Sequence, residues 1–226
     1  MELNKIFIGY EPKEAIVYHV CVNSIIRNTK SPLSITPLAL NNLSTYKETH
    51  SDGSNDFIYS RFLVPHLMGY KGWALFIDGD MIVREDINDL MMLKDDNKAV
   101  IVVKHDYKTK MKKKYLGSKN EDYPRKNWSS VILWNCNHKI NKILTPEYIS
   151  QSTGAHLHRF NWIKDNLIGE LPKEWNWLSD EYGENKEAKL LHYTLGAPSF
   201  KDFAKTPMAD VWHEERIYTE FCLQNL

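Results

Sequence analysis

Two aspartates separated by one glycine interrupt the most apolar part of this sequence. Asp78 and Asp80 follow the apolar run 73–77, and a second apolar run, 81–83, begins directly after them. Alternate residues of an extended chain point to the same side, so the two carboxylates are expected to converge. A hard divalent cation relieves their repulsion and leaves coordination positions free for phosphate oxygens. The spacing therefore predicts a metal site at which Gly79 lets a ligand approach the backbone; the alternative is an ordinary Asp-Gly turn.

The elements that must position these aspartates alternate between apolar runs and helical patterns. Predicted strands cover 5–10, 34–40, 73–77, 81–83, 99–103, 131–134 and 189–193. Predicted helices cover 12–28, 56–68, 86–93, 146–151, 156–166 and 210–223. Alternation of this kind is typical of an α/β sheet with crossover connections, and no repeat or linker divides residues 1–226. Ligands of open α/β sheets bind beyond the carboxyl ends of strands, where Gly9, Asp78 and Asp80 are expected.

Composition narrows the class of protein. The chain has 226 residues, of which 42% are hydrophobic, and this is enough for one sizeable core. Lys plus Arg equals Asp plus Glu at 29 each, so no overall field favours nucleic acid as a partner. Neither an 18-residue apolar run nor a leader pattern is present, which favours a cytoplasmic protein. Cys21, Cys136 and Cys222 lack metal-site spacing and are expected to be reduced packing residues.

The stretch Phe-Ile-Asp-Gly-Asp-Met-Ile-Val at 76–83 resembles the Asp-X-Asp strand of GT-A glycosyltransferases. The closer likeness is to the retaining family 8 type, which includes glycogenin and bacterial lipopolysaccharide galactosyltransferases. The resemblance implies a GT-A fold, with a mixed, mainly parallel central sheet flanked by helices. It implies a hexosyltransferase that moves a sugar from a UDP-sugar to a glycan or other hydroxyl acceptor, with retention. In that family the two aspartates hold Mn²⁺ against the donor diphosphate, and Mg²⁺ is the alternative ion.

The late segment 190–198 resembles the family's His-Tyr/Phe-Thr-Gly…Pro stretch. By this resemblance, His192 is the third protein ligand of the metal. An imidazole added to two carboxylates shifts the preference of a site from Mg²⁺ toward Mn²⁺. Gly196 is expected to let the backbone approach the phosphates. The family usually has a phosphate-binding Lys where this chain has Ala197, so we expect Lys201 or another residue to supply that charge.

The segment 58–65 resembles the family's Tyr-X-Arg-Phe helix, and it contributes Tyr59 and Arg61 to the predicted donor site. The planar fork of an arginine can bind a diphosphate or fix a catalytic carboxylate. The alternative is a surface arginine whose stem covers apolar neighbours while its head stays in water. The interval between Arg61 and Asp78 also fits the family, which favours the first interpretation.

Two further stretches are expected to contact the donor because of the resemblance. The turn Gly9-Tyr10-Glu11 follows the first strand, where the family holds the nucleotide base and ribose. Tyr10 would stack on the base, and Glu11 would accept a hydrogen bond from the base or ribose; the alternative is an ordinary βα turn. Ser129 and Ser130 stand where the family has the polar head of a strand that contacts the donor sugar or the acceptor.

The largest departure from the family pattern is at residues 156–161. The family commonly has Asp-Gln-Asp-X-X-Asn, with an aspartate near the reacting carbon, whereas this chain has His156 and His158 before a matching Asn161. His158 is predicted to contact the sugar or the acceptor hydroxyl, or else the pair caps and packs a helix. The segment 171–177 resembles a Leu-Pro-X-X-Trp-Asn stretch that helps to shape the family's site.

A run of five lysines lies within Lys108–Lys114. Such a run is usually a solvated loop. It could also contact an anionic membrane surface, at about 1 kcal/mol per charge, or an acidic glycan. Two other functions stay open for the whole chain: a nucleotidyltransferase on a similar sheet, and a non-catalytic sugar-binding module. The chain has no Gly-rich basic loop after the first strand, which disfavours the former.

Overall fold

The computed structural model of the chain describes residues 3–53, 55–117 and 119–221. Its strands are β1 (Asn4–Gly9), β2 (Leu33–Leu38), β3 (Trp73–Ile77), β4 (Met81–Val83), β5 (Val100–Val102), β6 (Val131–Asn135), β7 (Ile168–Glu170), β8 (Trp177–Leu178) and β9 (Leu190–His192). Its α-helices are α1 (Ala15–Asn28), α2 (Val64–Leu67), α3 (Ile87–Met91), α4 (Pro146–Gln151), α5 (Gly154–His158), α6 (Ser179–Tyr182) and α7 (Ala209–Phe221).

The main sheet has six strands in the order β2-β1-β3-β6-β5-β7. β2, β1 and β3 run parallel, β5 and β7 run parallel, and β6 lies antiparallel to both of its neighbours. A smaller sheet has the order β4-β9-β8, in which β9 is antiparallel to β4 and parallel to β8. The predicted α/β architecture with a mixed, mainly parallel sheet is therefore confirmed. That one domain covers residues 1–226 stays a prediction.

Both faces of the main sheet are buried, which is why its central strands are continuous apolar runs. On one face Phe7, Phe76 and Trp134 pack in one apolar cluster. On the other face Ile8 and Ile77 pack against α1 in a second cluster. Successive side chains of a strand point to opposite faces, so each of these runs supplies both clusters. The main sheet is thus packed on both faces, and this packing holds the strand ends in place.

Helix α1 joins the two sheets. Cys21 and Ile25 pack against the main sheet, whereas Val17 and Val20 pack with the smaller sheet and with Trp212 of α7. The members of each pair are three or four residues apart, so each pair forms one stripe along the helix, and the two stripes are adjacent. Because α1 packs on both sheets, it fixes the position of β4 and β9 relative to the ends of β1 and β3.

Two predicted helices differ from those observed. The helix predicted at 56–68 is a 3-10 turn over Ser60–Leu63 followed by the short α2. Pro65 lies in the first turn of α2, where its missing N–H leaves no bond unmade. The helix predicted at 156–166 is wrong after His158, because Phe160 adopts a left-handed backbone with φ of 54° that a continuing helix cannot accommodate.

β7 and β8 were not predicted, since runs of three and two residues carry too little periodicity. Cys21 and Cys136 are buried free thiols, and burial raises the pKa of both. Cys222 and the predicted helix end at 222–223 lie outside the described residues. Within those residues, none of the helices has the length and apolar character needed to cross a membrane.

Candidate functional site

A cavity opens where the carboxyl ends of β1 and β3 meet the amino end of β6 and the end of β9. Ten residues predicted for the site line it: Gly9, Glu11, Arg61, Asp78, Gly79, Asp80, Ser129, Ser130, His158 and His192. Four other predicted residues are not among those that line it: Tyr10, Tyr59, Gly196 and Lys201. The structure therefore brings together segments that lie more than a hundred residues apart in the chain.

Asp78, Asp80 and His192 form a compact group of potential ligand atoms in the cavity. One donor atom from each residue lies within 4.8 Å of the others. His192 Nε2 is 3.3 Å from Asp80 Oδ1 and 3.8 Å from Asp78 Oδ2. Asp80 Oδ1 is buried and has no hydrogen-bond partner within the described residues. Two carboxylates and an imidazole that converge with such an oxygen left over fit a divalent cation.

The turn that carries the aspartates differs from the extended geometry predicted. The main strand β3 ends at Ile77, and the chain turns through Gly79 before it enters β4 of the smaller sheet. A Cβ on Gly79 would lie 2.5 Å from the carbonyl oxygen of Gly9, so glycine is required by backbone packing and not only by ligand access. The carboxylates converge because the chain changes sheets between them, and not because they alternate along one strand.

Backbone pairing holds this turn against the late strand. In the antiparallel pair of β4 and β9, Met81 lies opposite His192. Beyond that pair, the Tyr193 amide donates to the Asp80 carbonyl over 3.2 Å. The Asp78 amide donates to the Ser130 carbonyl over 3.1 Å. The two sheets therefore meet at the aspartates, and each supplies part of the ligand group.

The orientation of the His192 ring is set by a chain of hydrogen bonds. His192 Nδ1 lies 3.0 Å from Asn176 Oδ1, and Asn176 Nδ2 donates to Ser130 Oγ over 2.8 Å. Ser130 Oγ in turn donates to the Asn127 carbonyl over 2.7 Å, so it must accept from Asn176. The Asn176 oxygen then faces the ring, and Nδ1 carries the proton. Nε2 is left with a lone pair that faces the two carboxylates, as a metal ligand requires.

Arg61 is a buried residue of the site, not a surface arginine. Its side chain is 5% exposed. Its Nη1 lies 2.8 Å from Asp78 Oδ1, an ion pair without the alignment of a hydrogen bond, and it donates to the Ser129 carbonyl over 2.9 Å. Burial raises the pKa of Asp78 to about 6, an effect that Asp80 adds to and Arg61 opposes. Arg61 therefore stabilises the charged form of one ligand.

The two histidines that replace the family's acids have different surroundings. His158 lines the cavity, with Nδ1 2.6 Å from Ser129 Oγ and with Nε2 buried and unpartnered among the described residues. Burial, and then Arg61, lower the pKa of His158 to about 3, so its ring is neutral near pH 7. His156 is not among the lining residues, and its Nε2 lies 2.7 Å from the Tyr148 hydroxyl. Of the pair, only His158 can contact a ligand in this cavity.

The turn after β1 has mostly structural contacts. Glu11 caps the following turn, accepting from the Lys13 amide over 3.2 Å, and it also accepts from the Asp56 amide over 3.0 Å. Both of its carboxylate oxygens are thus engaged by this chain. Tyr10 packs edge-on against Tyr18, with ring centroids 5.2 Å apart. The base-stacking role predicted for Tyr10 does not match its position outside the cavity lining.

Three other predicted contacts also lie elsewhere. Tyr59 stacks on His50, with centroids 3.6 Å apart, and faces a second, adjoining cavity. A Cβ on Gly196 would lie 2.5 Å from the Phe203 ring and 3.0 Å from the Cβ of Tyr115, so this glycine allows close packing. Lys201 is exposed and does not line the cavity. Lys201 therefore does not bring to the cavity lining the positive charge that is expected to bind the phosphates.

Several lining residues were missed by sequence reasoning, chiefly Glu14, Lys114, Tyr115, Tyr123, Asn127 and Thr194. Glu14 precedes α1, and burial followed by Asp80 raises its pKa to about 7. Lys114 belongs to the lysine run, four of whose members are exposed. No local pattern marks Glu14, Tyr115 or Tyr123. Thr194 and Asn176, which orients His192, lie within the segments 190–198 and 171–177 and could have been found from the match of those segments to the family.

Comparisons with known proteins agree with this geometry. The family described as "Glycosyl transferase family 8" matches residues 5–197. "Protein CDI" of Arabidopsis thaliana is 41% identical over 220 residues, which cover 93% of this chain and 85% of that protein. Both matches include the segments that carry the three candidate metal ligands.

Solved structures show the same fold at low identity. The bifunctional glycosyltransferase WbbM superposes with a TM-score of 0.70 at 17% identity, over 96% of this chain and 50% of that one. GlyE of Streptococcus pneumoniae TIGR4 gives 0.63 at 17% identity, over 96% of this chain and 60% of GlyE. The galactosyltransferase LgtC, solved with donor and acceptor sugar analogues, gives 0.60 at 13% identity, over 94% and 95%. This chain thus spans about half of WbbM but nearly all of LgtC.

Proposed function

Because the chain belongs to glycosyl transferase family 8 and is a glycosyltransferase, we propose that it transfers a hexose from a UDP-sugar to a hydroxyl of a glycan acceptor. The reaction depends on a divalent cation, with Mn²⁺ preferred to Mg²⁺. A nucleotidyltransferase and a non-catalytic module are both disfavoured by the family. The LgtC structure, with its donor and acceptor sugar analogues, supports the same two-substrate reaction here.

One observation carries the proposal: ligand atoms of Asp78, Asp80 and His192 converge to within 4.8 Å in a cavity at the strand ends. A cation bound there would neutralise the charge that develops on the leaving diphosphate, which is the main chemical task of such a transfer. The nitrogen ligand is the reason to expect Mn²⁺ over Mg²⁺, since Mg²⁺ favours oxygen ligands. Asn176 holds the His192 ring in the tautomer that leaves Nε2 free for this role.

The other residues of the cavity orient the reactants. Arg61 favours the charged form of Asp78 and donates to the Ser129 carbonyl, so it positions the carboxylate. We propose that His158 Nε2, on a neutral ring and without a partner among the described residues, bonds a hydroxyl of the donor sugar or of the acceptor. A neutral imidazole with its other nitrogen on Ser129 orients a hydroxyl without adding charge to the site.

We further propose transfer with retention. The acceptor oxygen then forms its bond to the sugar carbon from the side on which the diphosphate leaves. The departing diphosphate oxygen takes the proton of the acceptor hydroxyl, so no separate protein base is needed. His158 stands where the family commonly has an acid, and this neutral ring leaves no carboxylate at that position to act as a nucleophile.

The experiment that tests the function is a screen of nucleotide sugars for metal-dependent release of the nucleoside diphosphate. We expect one UDP-hexose to be hydrolysed slowly without acceptor and faster with the correct glycan. Asp80→Asn removes charge from the ligand group, and it should abolish turnover while leaving the fold intact by circular dichroism. Release at the wild-type rate by a folded Asp80→Asn protein would contradict the proposal.

Two statements about place and partners are also proposals. We propose that the protein acts in the cytoplasm. The exposed lysines of the run 108–113 suit a peripheral contact with an anionic membrane, at about 1 kcal/mol per charge. Co-sedimentation with phosphatidylserine vesicles at low and high salt tests this contact, which should weaken as salt rises.

A further inference from the structure

Lys114 differs from the other lysines of its run. Lys108, Lys110, Lys112 and Lys113 are exposed, whereas Lys114 is partly buried and lines the same cavity as Asp78 and Asp80. A lysine run usually marks a solvated loop, so a member that enters a cavity needs a reason. The reason lies in how the loop is held on each side of Lys114.

On the carboxyl side, the next residue fastens the loop to the segment that follows β9. The Tyr115 amide donates to the Leu195 carbonyl over 2.7 Å. The Tyr115 ring packs on Phe200 with centroids 5.1 Å apart, and its Cβ fills the space that Gly196 leaves open. The backbone beside Lys114 is therefore attached to the segment that follows His192. Contacts within the protein thus hold this end of the loop at the cavity.

On its other side the loop is closed by a buried lysine. Lys126 Nζ donates to Asn120 Oδ1 over 2.6 Å, and Asn120 Nδ2 donates to the Met111 carbonyl over 2.7 Å. The Asn120 amide also donates to the Lys112 carbonyl over 2.9 Å. Lys126 and Asn120 are both buried. The lysine run thus forms the exposed side of a hydrogen-bonded loop, and this loop places Lys114 in the cavity.

The charge of Lys114 has no direct partner among the residues that the structure describes. None of the ion pairs between described residues includes its ammonium. Its strongest favourable electrostatic interactions are with Asp80 and Asp78, neither of which lies within the 4.0 Å of an ion pair. A partly buried ammonium without a contact partner is costly, and it is stabilised when an anion arrives. At the two positions where sequence reasoning looked for this charge, Ala197 is buried and apolar and Lys201 is outside the cavity.

We propose that the Lys114 ammonium binds the phosphate groups of the nucleotide-sugar donor, in the cavity that it shares with Asp78, Asp80 and His192. This inference rests on the proposed function. When the bond between the sugar carbon and the phosphate oxygen breaks, its electron pair stays on that oxygen, and the ammonium stabilises the resulting charge. Lys114 neither gains nor loses a proton in this step. The positive charge that binds the phosphates then comes from a lysine in the loop between β5 and β6.

The test is a calorimetric titration of UDP, and separately of uridine, into the metal-loaded wild type and three variants. Lys114→Gln should bind UDP about 10- to 100-fold more weakly, since a charge-assisted hydrogen bond is lost. It should bind uridine unchanged, because uridine has no phosphate. Lys114→Arg, which keeps the charge, should recover most of the loss. Lys113→Gln removes an exposed neighbouring charge and should match the wild type.

Two controls separate the possible failures. Lys114→Gln should bind Mn²⁺ alone no more weakly than the wild type, because a cation is removed from the vicinity of the metal ligands. If the wild type binds UDP with metal and Lys114→Gln binds it equally well, this inference falls while the proposed function stands. If the wild type binds neither UDP nor any other nucleoside diphosphate, the proposed function falls and this inference with it.

Discussion

Asn176 Oδ1 lies 3.0 Å from Nδ1 of His192, and this contact decides which ring nitrogen is available to a metal. Asn176 is itself fixed, because its amide nitrogen donates to Ser130 Oγ over 2.8 Å. The lone pair of Nε2 therefore faces Asp78 and Asp80 without any rearrangement of the protein. A ligand group that is oriented before the metal arrives loses little conformational freedom on binding.

Replacing Asn176 tests this relationship without removing a metal ligand. Asn176→Leu deletes the acceptor at Nδ1, so the ring can turn or change tautomer, and we expect Mn²⁺ affinity to fall about 10-fold or more. Asn176→Asp keeps an acceptor at that position and should retain most of the affinity. The measurement is isothermal titration of Mn²⁺ into each protein near pH 7.5. Equal affinity for Asn176→Leu and the wild type would show that His192 is positioned by packing alone.

A second prediction concerns the buried ion pair of Arg61 and Asp78. Arg61→Met leaves the Asp78 carboxylate unpaired, so we expect the metal-free protein to lose about 3–5 kcal/mol of unfolding free energy. Asp78→Asn in the same protein removes the orphaned charge and should recover part of that loss. Denaturant unfolding of the two single variants and the double variant gives the coupling between the residues. Additive losses would mean that Arg61 serves the fold through its backbone contacts only.

The pH dependence of stability gives a third prediction, centred on Glu14. Burial and Asp80 raise the pKa of Glu14 to about 7 from 4.5, so the folded protein binds this proton more tightly than the unfolded chain. The stability of the metal-free protein should therefore fall as pH rises between about 4.5 and 7. Asp78, with its pKa raised to about 6 from 3.8, adds a fall of the same sign between those values.

Glu14→Gln isolates the contribution of Glu14. The variant has no carboxylate to ionise, so we expect a smaller loss of stability between pH 5 and pH 7.5 and a higher melting temperature at pH 7.5. Thermal unfolding in chelator at the two pH values provides the comparison. A variant with the slope of the wild type would show that Glu14 titrates normally in the folded protein.

Much of the fold could be predicted because its strands are buried on both faces. The runs at 73–77 and 131–134 are apolar throughout, and β3 and β6 occupy them almost residue for residue. The helix that follows Pro12 could also be predicted, since α1 has apolar residues at helical spacing and buries them against both sheets. The predicted helix at 156–166 failed because the left-handed Phe160 has no signature in residue type.

The site could be predicted where the residue type itself carries the chemistry. Asp78 and Asp80 are predicted for that reason, His192 is predicted from its resemblance to the family's late segment, and the fold places the three together. The sequence predicts a solvated loop, or a membrane or glycan contact, for the whole lysine run. The position of Lys114 in the cavity is not predicted, because it depends on a hydrogen bond between Tyr115 and Leu195, which are 80 residues apart in the sequence. The donor contacts expected of Tyr10 were likewise drawn from chain order, whereas its ring packs on Tyr18.

The central claim is that Asp78, Asp80 and His192 hold a divalent cation between the protein and a nucleoside diphosphate. The most direct measurement is a calorimetric titration of UDP into the wild-type protein in Mn²⁺, in Mg²⁺ and in chelator. We expect strong binding with Mn²⁺, weaker binding with Mg²⁺ and a loss of at least about 10-fold in chelator, since the carboxylates then repel the phosphates. UDP affinity in chelator equal to that in Mn²⁺ would contradict the claim.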